Sequence, residues 1–180
     1  MKKKVFSEKN YNSNDGMVTS VWGPSLWHVL HTISFNYPVK PTETQKEQYK
    51  NFIYSLEHVL PCGACRKNFK SNLQDVKLTK QSLKNRKEFS KWVYNLHNHV
   101  NKMTGKKFDK TFEDTRELYE NFRARCVARD GKSAIEDGCI ESLYGVRSKV
   151  QLNIVPKNTR GKTFKVNQRC KVKRVEKSKN

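Results

Sequence analysis

An all-α fold is what this sequence predicts: a four-helix bundle with a short fifth helix, followed by a small irregular basic C-terminal extension. Three observations lead there. Apolar residues recur at helical spacing in four successive stretches. Short links join those stretches, as in a bundle of antiparallel neighbours. After Gly131 the pattern gives way to a run rich in Lys and Arg. At 180 residues the chain is long enough to bury a core without relying on disulfides. It divides into a flexible N-terminal segment (1–20), a helical domain (21–126) and an extension with a basic tail (127–180).

The elements follow in order. Residues 1–20 are polar, rich in Asn and Ser. Trp22 to Asn36 reads as a helix with Trp22, Leu26, Val29, Leu30 and Ile33 on one face, and Pro24 suits its first turn. Tyr37-Pro38 and Pro41 stop it. A second helix from Thr42/Glu43 to Leu60 buries Tyr49, Phe52, Ile53, Leu56 and Val59/Leu60. Pro61 ends it, and a third helix runs from about Cys62 to Leu73 with both cysteines in its first turn. A fourth, Arg86 to Lys102, turns Phe89, Trp92, Val93, Leu96, Val100 and Met103 inward, and Gly105 caps it. A short fifth helix covers Glu113 to Arg125. Val150 to Pro156 alternates like a short strand.

The formal net charge is +20, and between Gly145 and Asn180 twelve Lys/Arg face one acid, Glu176. Such an excess is either solvated surface or a site for weak, salt-sensitive polyanion binding. Phe164 is nearly its lone aromatic, so base stacking is not supported. No apolar run follows Met1-Lys2-Lys3-Lys4, so no secretory signal is expected, and no stretch has the length of a membrane span.

The chemistry gathers at Pro61-Cys62-Gly63-Ala64-Cys65. Two cysteines separated by two residues can close a reactive disulfide, and a helix N-terminus favours thiolate. A thioredoxin-like motif would follow a buried strand, but an amphipathic helix precedes this one. A zinc site would need a second ligand pair, and His97 and His99 lack the usual spacing. An inert buried pair is the remaining alternative; the helix-start context favours redox use. His31 and His97 lie on the inner sides of their helices in tryptophan-bearing stretches. They form either a pocket for a planar ring or plain core. Cys126 and Cys139, with twelve residues between them, are read as a structural disulfide rather than unrelated thiols. Cys170, in the basic tail, is a shuttle thiol, an intermolecular link or an exposed thiol.

Three motifs then carry a resemblance. Trp22-Gly23-Pro24-Ser25-Leu26-Trp27-His28-Val29-Leu30-His31-Thr32 with Tyr37-Pro38, the Cys62–Cys65 quartet, and Trp92-Val93-Tyr94-Asn95-Leu96-His97-Asn98-His99-Val100-Asn101 with Gly105-Lys106 occur in one order. Together they resemble the Erv/ALR family of FAD-linked sulfhydryl oxidases over roughly residues 20–110. Asp137-Gly138-Cys139 through Lys157 looks like an extension in homologues from large DNA viruses. The resemblance implies a helical bundle holding FAD, usually as a homodimer, that oxidises protein dithiols and passes electrons to O2 to give H2O2. It implies Cys65 as the flavin-proximal thiolate and Cys62 as the outer, exchanging thiol. Gly23, Trp27, His31, His97, Asn98, Asn101 and Lys106 would be the cofactor-binding residues. Two departures stand out. Tyr94 occupies a position where many relatives carry a stapling cysteine, and no CxxC precedes the bundle.

The expected partners are protein dithiols, a thioredoxin- or glutaredoxin-like carrier among them, with O2 as acceptor and no metal. The expected location is the host cytoplasm and the virion, with the mitochondrial intermembrane space as the alternative. Three rivals remain: a helical nucleic-acid-packaging module, a zinc domain, and a flavin-free thiol exchanger.

Overall fold

A computed structural model describes residues 7–125, 141–162 and 164–171. The chain divides into two compact units, Met1–Asp109 and Lys110–Asn180.

The described residues of the first unit form five helices: α1 (Glu8–Asn12), α2 (Thr19–Phe35), α3 (Glu43–Val59), α4 (Gly63–Asp75) and α5 (Arg86–Met103). Three of the long helices start at a side-chain cap. Thr42 and Gln45 form a reciprocal capping box at α3, satisfying two orphan amides. The Cys62 side chain caps α4 and Asn85 caps α5. At the end of α5, Gly105 takes φ +67°. Its N–H donates to Lys102 O (3.2 Å), and Lys106 N–H donates to Asn101 O (2.8 Å). This is a Schellman closure, and it fixes where Lys106 leaves the helix.

Tyr37, Ile53, Leu56, Phe69, Leu73, Phe89, Trp92, Val93 and Leu96 form the core between these helices. Tyr37 is fully buried, and its hydroxyl donates to Leu83 O at 2.8 Å. Its ring meets Tyr49 edge-on at 4.7 Å. Trp92 stacks on Phe89, and its indole N–H reaches Val76 O and Lys77 O. Trp92 therefore belongs to the core.

Several expectations need correction. α2 begins three residues earlier than expected, so Pro24 lies inside the helix rather than in its first turn. Gly23 makes this tolerable, because without a Cβ it escapes the clash that bars most residues before proline from helical geometry. Val29, Phe52, Val59 and Met103, placed on buried faces by periodicity, are exposed.

In the second unit, α6 (Phe112–Glu120) starts from a Thr111–Asp114 capping box. It ends before the expected Arg125. Asn121 Nδ2 donates to Glu117 O, and Ala124–Arg125 (β1) pair antiparallel with Glu141–Ser142 (β2), so the backbone is committed to a ladder instead. The strand expected over Val150–Pro156 does not form: these residues carry no regular structure, and Leu152 and Ile154 are three-quarters exposed. An alternating run needs a partner edge, and none pairs with it among the described residues. Gln168–Cys170 make a single 3-10 turn.

Candidate active site

Cys62 and Cys65 are joined by a disulfide at the N-terminus of α4. Leu60 and Pro61 break α3, and Cys62 follows in extended geometry (φ −164°, ψ 123°) before the helix begins. Cys65 N–H donates to Cys62 Sγ at 3.2 Å. The sulfurs thus sit where the helix dipole and free amides favour negative charge. Thr19 Oγ1, at the start of α2, lies 3.5 Å from Cys65 Sγ. Cys62 is the more covered of the two, at 8% exposure, whereas Cys65 is half-buried.

From Thr19, one row of α2 leads away from the disulfide. Thr19, Gly23, Trp27 and His31 follow at four-residue intervals, about 6 Å apart along the axis. At Gly23 the row is bare backbone. A Cβ there would meet only Thr19 Cγ2, at an ordinary 3.5 Å, so the space above it is open. At the far end Trp27 stacks on His97 of α5, with centroids 4.1 Å apart and planes 8° from parallel. His31 Nε2 and His97 Nδ1 share a hydrogen bond of 2.9 Å. Burial pushes both imidazoles down, His31 to about 3 and His97 to about 4. His28 and His97 add to the effect at His31, and Lys106 adds to it at His97. Both rings are neutral at pH 7, a wall suited to a flat, uncharged aromatic system.

One turn beyond His97 on the same helix, Asn101 is buried. Asn98 Oδ1 is also buried and has no hydrogen-bond partner among the described residues. A buried amide oxygen left unpaired is costly, so this position fits a bound donor. Lys106 is exposed just past the helix end. Phe108 closes over this end, 5.2 Å from the His97 ring and 5.8 Å from Tyr94.

The structure therefore gathers Trp27, His31 and His97 into one contact cluster. It places Asn98 and Asn101 along the same helix, and it leaves Gly23 as an open step between this cluster and the disulfide. Cys126 and Cys139 lie outside the described residues. Cys170 is a free, half-exposed thiol in the second unit. Thr19 and Phe108 were not read from the sequence; the four-residue spacing Thr19–Gly23–Trp27–His31 was the available signal for the first. Among the described residues no group of three or more His, Cys, Asp or Glu converges on a metal position, so the zinc alternative finds no ligand set there. No helix among them is long and apolar enough to cross a membrane.

The family model described as Erv1 / Alr matches residues 24–123. A probable FAD-linked sulfhydryl oxidase of Acanthamoeba polyphaga mimivirus is 42% identical over 86 residues, 48% of this chain and 60% of that protein. The mitochondrial FAD-linked sulfhydryl oxidase ERV1 of Saccharomyces cerevisiae is 32% identical over 109 residues, 60% of this chain and 56% of that one. The chain thus spans less than two thirds of the length of these two relatives. The crystal structure of the yeast Erv1 core superposes with a TM-score of 0.51 at 26% identity, covering 66% of this chain and 92% of that one. The crystal structure of the FAD-binding domain of yeast Erv1 gives 0.51 at 28% identity, covering 57% and 94%.

Proposed function

The chain belongs to the Erv1 / Alr family, and from that premise we propose that it is an FAD-dependent sulfhydryl oxidase, converting protein dithiols and O2 to disulfides and H2O2. The observation that carries this reading is the Cys62–Cys65 disulfide at a helix N-terminus, set at the head of the α2 row that ends in the Trp27–His97 stack. The names of relatives as FAD-linked sulfhydryl oxidases support it.

Gly23, Trp27, His31, His97, Asn98, Asn101 and Lys106 would hold FAD. The open face at Gly23, the neutral stacked rings and the unpaired Asn98 oxygen fit a flat heterocycle with hydrogen-bonding edges. When bound, FAD supplies the two-electron acceptor that a dithiol needs and returns the pair to O2.

The chain's own part is thiol exchange. A substrate thiolate attacks Cys62 Sγ; the new S–S bond forms as the Cys62–Cys65 bond breaks, and Cys65 leaves as thiolate. The Thr19 hydroxyl beside Cys65 Sγ favours that thiolate, while the first turn of α4 points an amide, Cys65 N–H, toward Cys62 Sγ. The second substrate thiol then attacks the mixed disulfide and releases oxidised substrate, leaving Cys62 and Cys65 reduced. Electron transfer out of this dithiol closes the cycle.

We assign protein dithiols as substrates, with a thioredoxin- or glutaredoxin-like carrier among them; Cys170 is open to a shuttle role, an intermolecular link or none. The exposed Val29, Phe52 and Val59 support a homodimer that covers apolar surface. The identity to the mimivirus protein favours action in the host cytoplasm and packaging in virions; a mitochondrial relative keeps the intermembrane space as the alternative. The basic residues of 145–180 are proposed to hold polyanions weakly.

The test is an absorbance spectrum of the purified protein, before and after a dithiol is added in air, with oxygen uptake followed in parallel. A flavin band that bleaches and returns as oxygen is consumed is the expected result. A colourless protein that takes up no FAD overturns the reading.

A further inference from the structure

The cover on Cys62 has a definite source. Asn14–Met17 lies across the cysteine loop. Met17 N–H donates to Pro61 O at 2.6 Å, and Gly63 N–H donates to Asn14 O at 3.1 Å. Arg66 reaches the Asn14 side chain with one end of its guanidinium and Leu60 O with the other. The Trp22 indole N–H donates to Met17 O at 3.0 Å. The approach is too close for side chains. A Cβ on Gly16, which sits at φ +75°, would fall 2.8 Å from Cys62 Cα, and one on Gly63 would fall 2.6 Å from Asn14 O. Asn14 is itself left-handed, at φ 62°.

Two features make this strap a stand-in rather than a fixture. First, Cys62 is extended, so Pro61 C=O and Gly63 N–H point to one side of it, as the two groups flanking a bridged residue do in a parallel ladder. An extended polypeptide can satisfy both with a single residue, the strand-addition mode of peptide recognition. Second, the contacts that tie the strap down are hydrogen bonds. Residues 7–21 are all exposed, with Tyr11, Met17 and Val18 each about two-thirds exposed or more. A segment that leaves most of its own apolar surface exposed opens at low free energy.

We propose that Asn14–Met17 is a displaceable strap over a main-chain docking edge at Cys62, and that an extended segment of the substrate polypeptide takes over Pro61 C=O and Gly63 N–H as its cysteine attacks. This rests on reading Cys62–Cys65 as the disulfide that substrates reduce. The exchange is balanced within itself: the substrate sulfur bonds to Cys62 Sγ, the Cys62–Cys65 bond breaks, and Cys65 departs with the electron pair. Recognition through main chain accepts many substrate sequences, and it gives an extended, unfolded partner an advantage over a folded one.

The test needs neither FAD nor oxygen. In the full chain carrying Cys65→Ser, a short linear peptide bearing an activated cysteine disulfide is captured on Cys62, and amide hydrogen exchange is followed. Expected is lost protection at Met17 N–H with protection kept at Gly63 N–H, now held by the peptide. Met17 protection that survives capture overturns the proposal, as does loss at Gly63. In the otherwise native chain, Gly16→Ala or Asn14→Ala should speed reduction of Cys62–Cys65 by a linear peptide dithiol on the order of tenfold, the scale of losing one or two net hydrogen bonds. A peptide N-methylated at the bridging residue should lose most of that gain. Unchanged or slower reduction, or equal rates for the two peptides, overturns it. Failure of the oxidase reading would show separately, as a chain that binds no flavin.

Discussion

His31 Nε2 and His97 Nδ1 stand 2.9 Å apart, joining the C-terminal half of α2 to α5 through two imidazoles that burial keeps neutral. One ring donates and the other accepts, and two charged rings cannot share the bond. In the unfolded chain each titrates near its ordinary 6.5; in the folded chain His31 is pushed to about 3 and His97 to about 4. Between roughly pH 4 and 6.5 the unfolded state therefore binds more protons, and stability rises with pH. The pair's contribution is present above pH 6.5 and is lost as pH falls through that window. On the order of 2–4 kcal/mol should be gone by pH 5. Urea unfolding at pH 7 and pH 5 measures this; equal stabilities at the two pH values would refute it.

Cys65 and Cys62 are predicted to fail in different ways. Cys65→Ser should abolish oxygen uptake yet retain bound flavin and trap mixed disulfides at Cys62. Cys62→Ser should abolish turnover and trap none. Mass spectrometry after incubation with a peptide dithiol and its disulfide distinguishes them. Mixed disulfides on Cys65 of the Cys62→Ser chain, with none on Cys62 of its counterpart, would invert the assignment.

Thr19→Val keeps shape and removes the hydroxyl beside Cys65 Sγ. A leaving thiolate that loses one donor is a poorer leaving group. Reduction of the disulfide by excess dithiothreitol should slow by about three- to tenfold, within the range of one ordinary net hydrogen bond. The rate is read by timed acid quench and alkylation, with the melting temperature as control. An unchanged rate would remove Thr19 from the exchange step.

Tyr37 anchors the link after α2. Tyr37→Phe leaves the ring in place but orphans the Leu83 carbonyl that its hydroxyl serves. An unsatisfied buried acceptor costs about 1–3 kcal/mol. Thermal or urea unfolding reads this directly, and a loss near zero would mean that Leu83 O finds water.

Much of this architecture is legible in the residues. Four helices follow from apolar spacing and from breakers at Tyr37-Pro38, Pro61 and Gly105, all of which act locally. Trp27, His31 and His97 were legible as a set through the family motifs; periodicity alone left them between pocket and core. What escaped was non-local. No pattern in a polar N-terminal stretch announces that Asn14 and Met17 hydrogen-bond around Cys62, because the signal is two main-chain groups and two glycines 47 residues apart (16 and 63). The alternation in Val150–Pro156 misled because a strand needs a partner as well as a pattern. Val29 and Phe52 carry helical spacing but lie on the rim of a stripe wider than the core it feeds.

Phe108 offers the last prediction. Tyr94 meets Phe108 at 5.8 Å, and Phe108 meets His97 at 5.2 Å, so ring contacts hold the segment after α5 against the helix. Aromatic pairs of this kind contribute about 0.5–1.5 kcal/mol beyond their buried area. Phe108 also helps desolvate His97, and desolvation is the main reason that imidazole sits at about 4. Phe108→Ala should therefore admit water and move the His97 pKa upward, toward 6.5, while loosening the Trp27–His97 stack. Imidazole proton shifts followed across a pH titration report the first effect, and Trp27 fluorescence reports the second. A His97 that stays near 4 in the variant would place its desolvation entirely with Trp27, His31 and the helix packing, and would leave Phe108 a surface residue with no hold on the site.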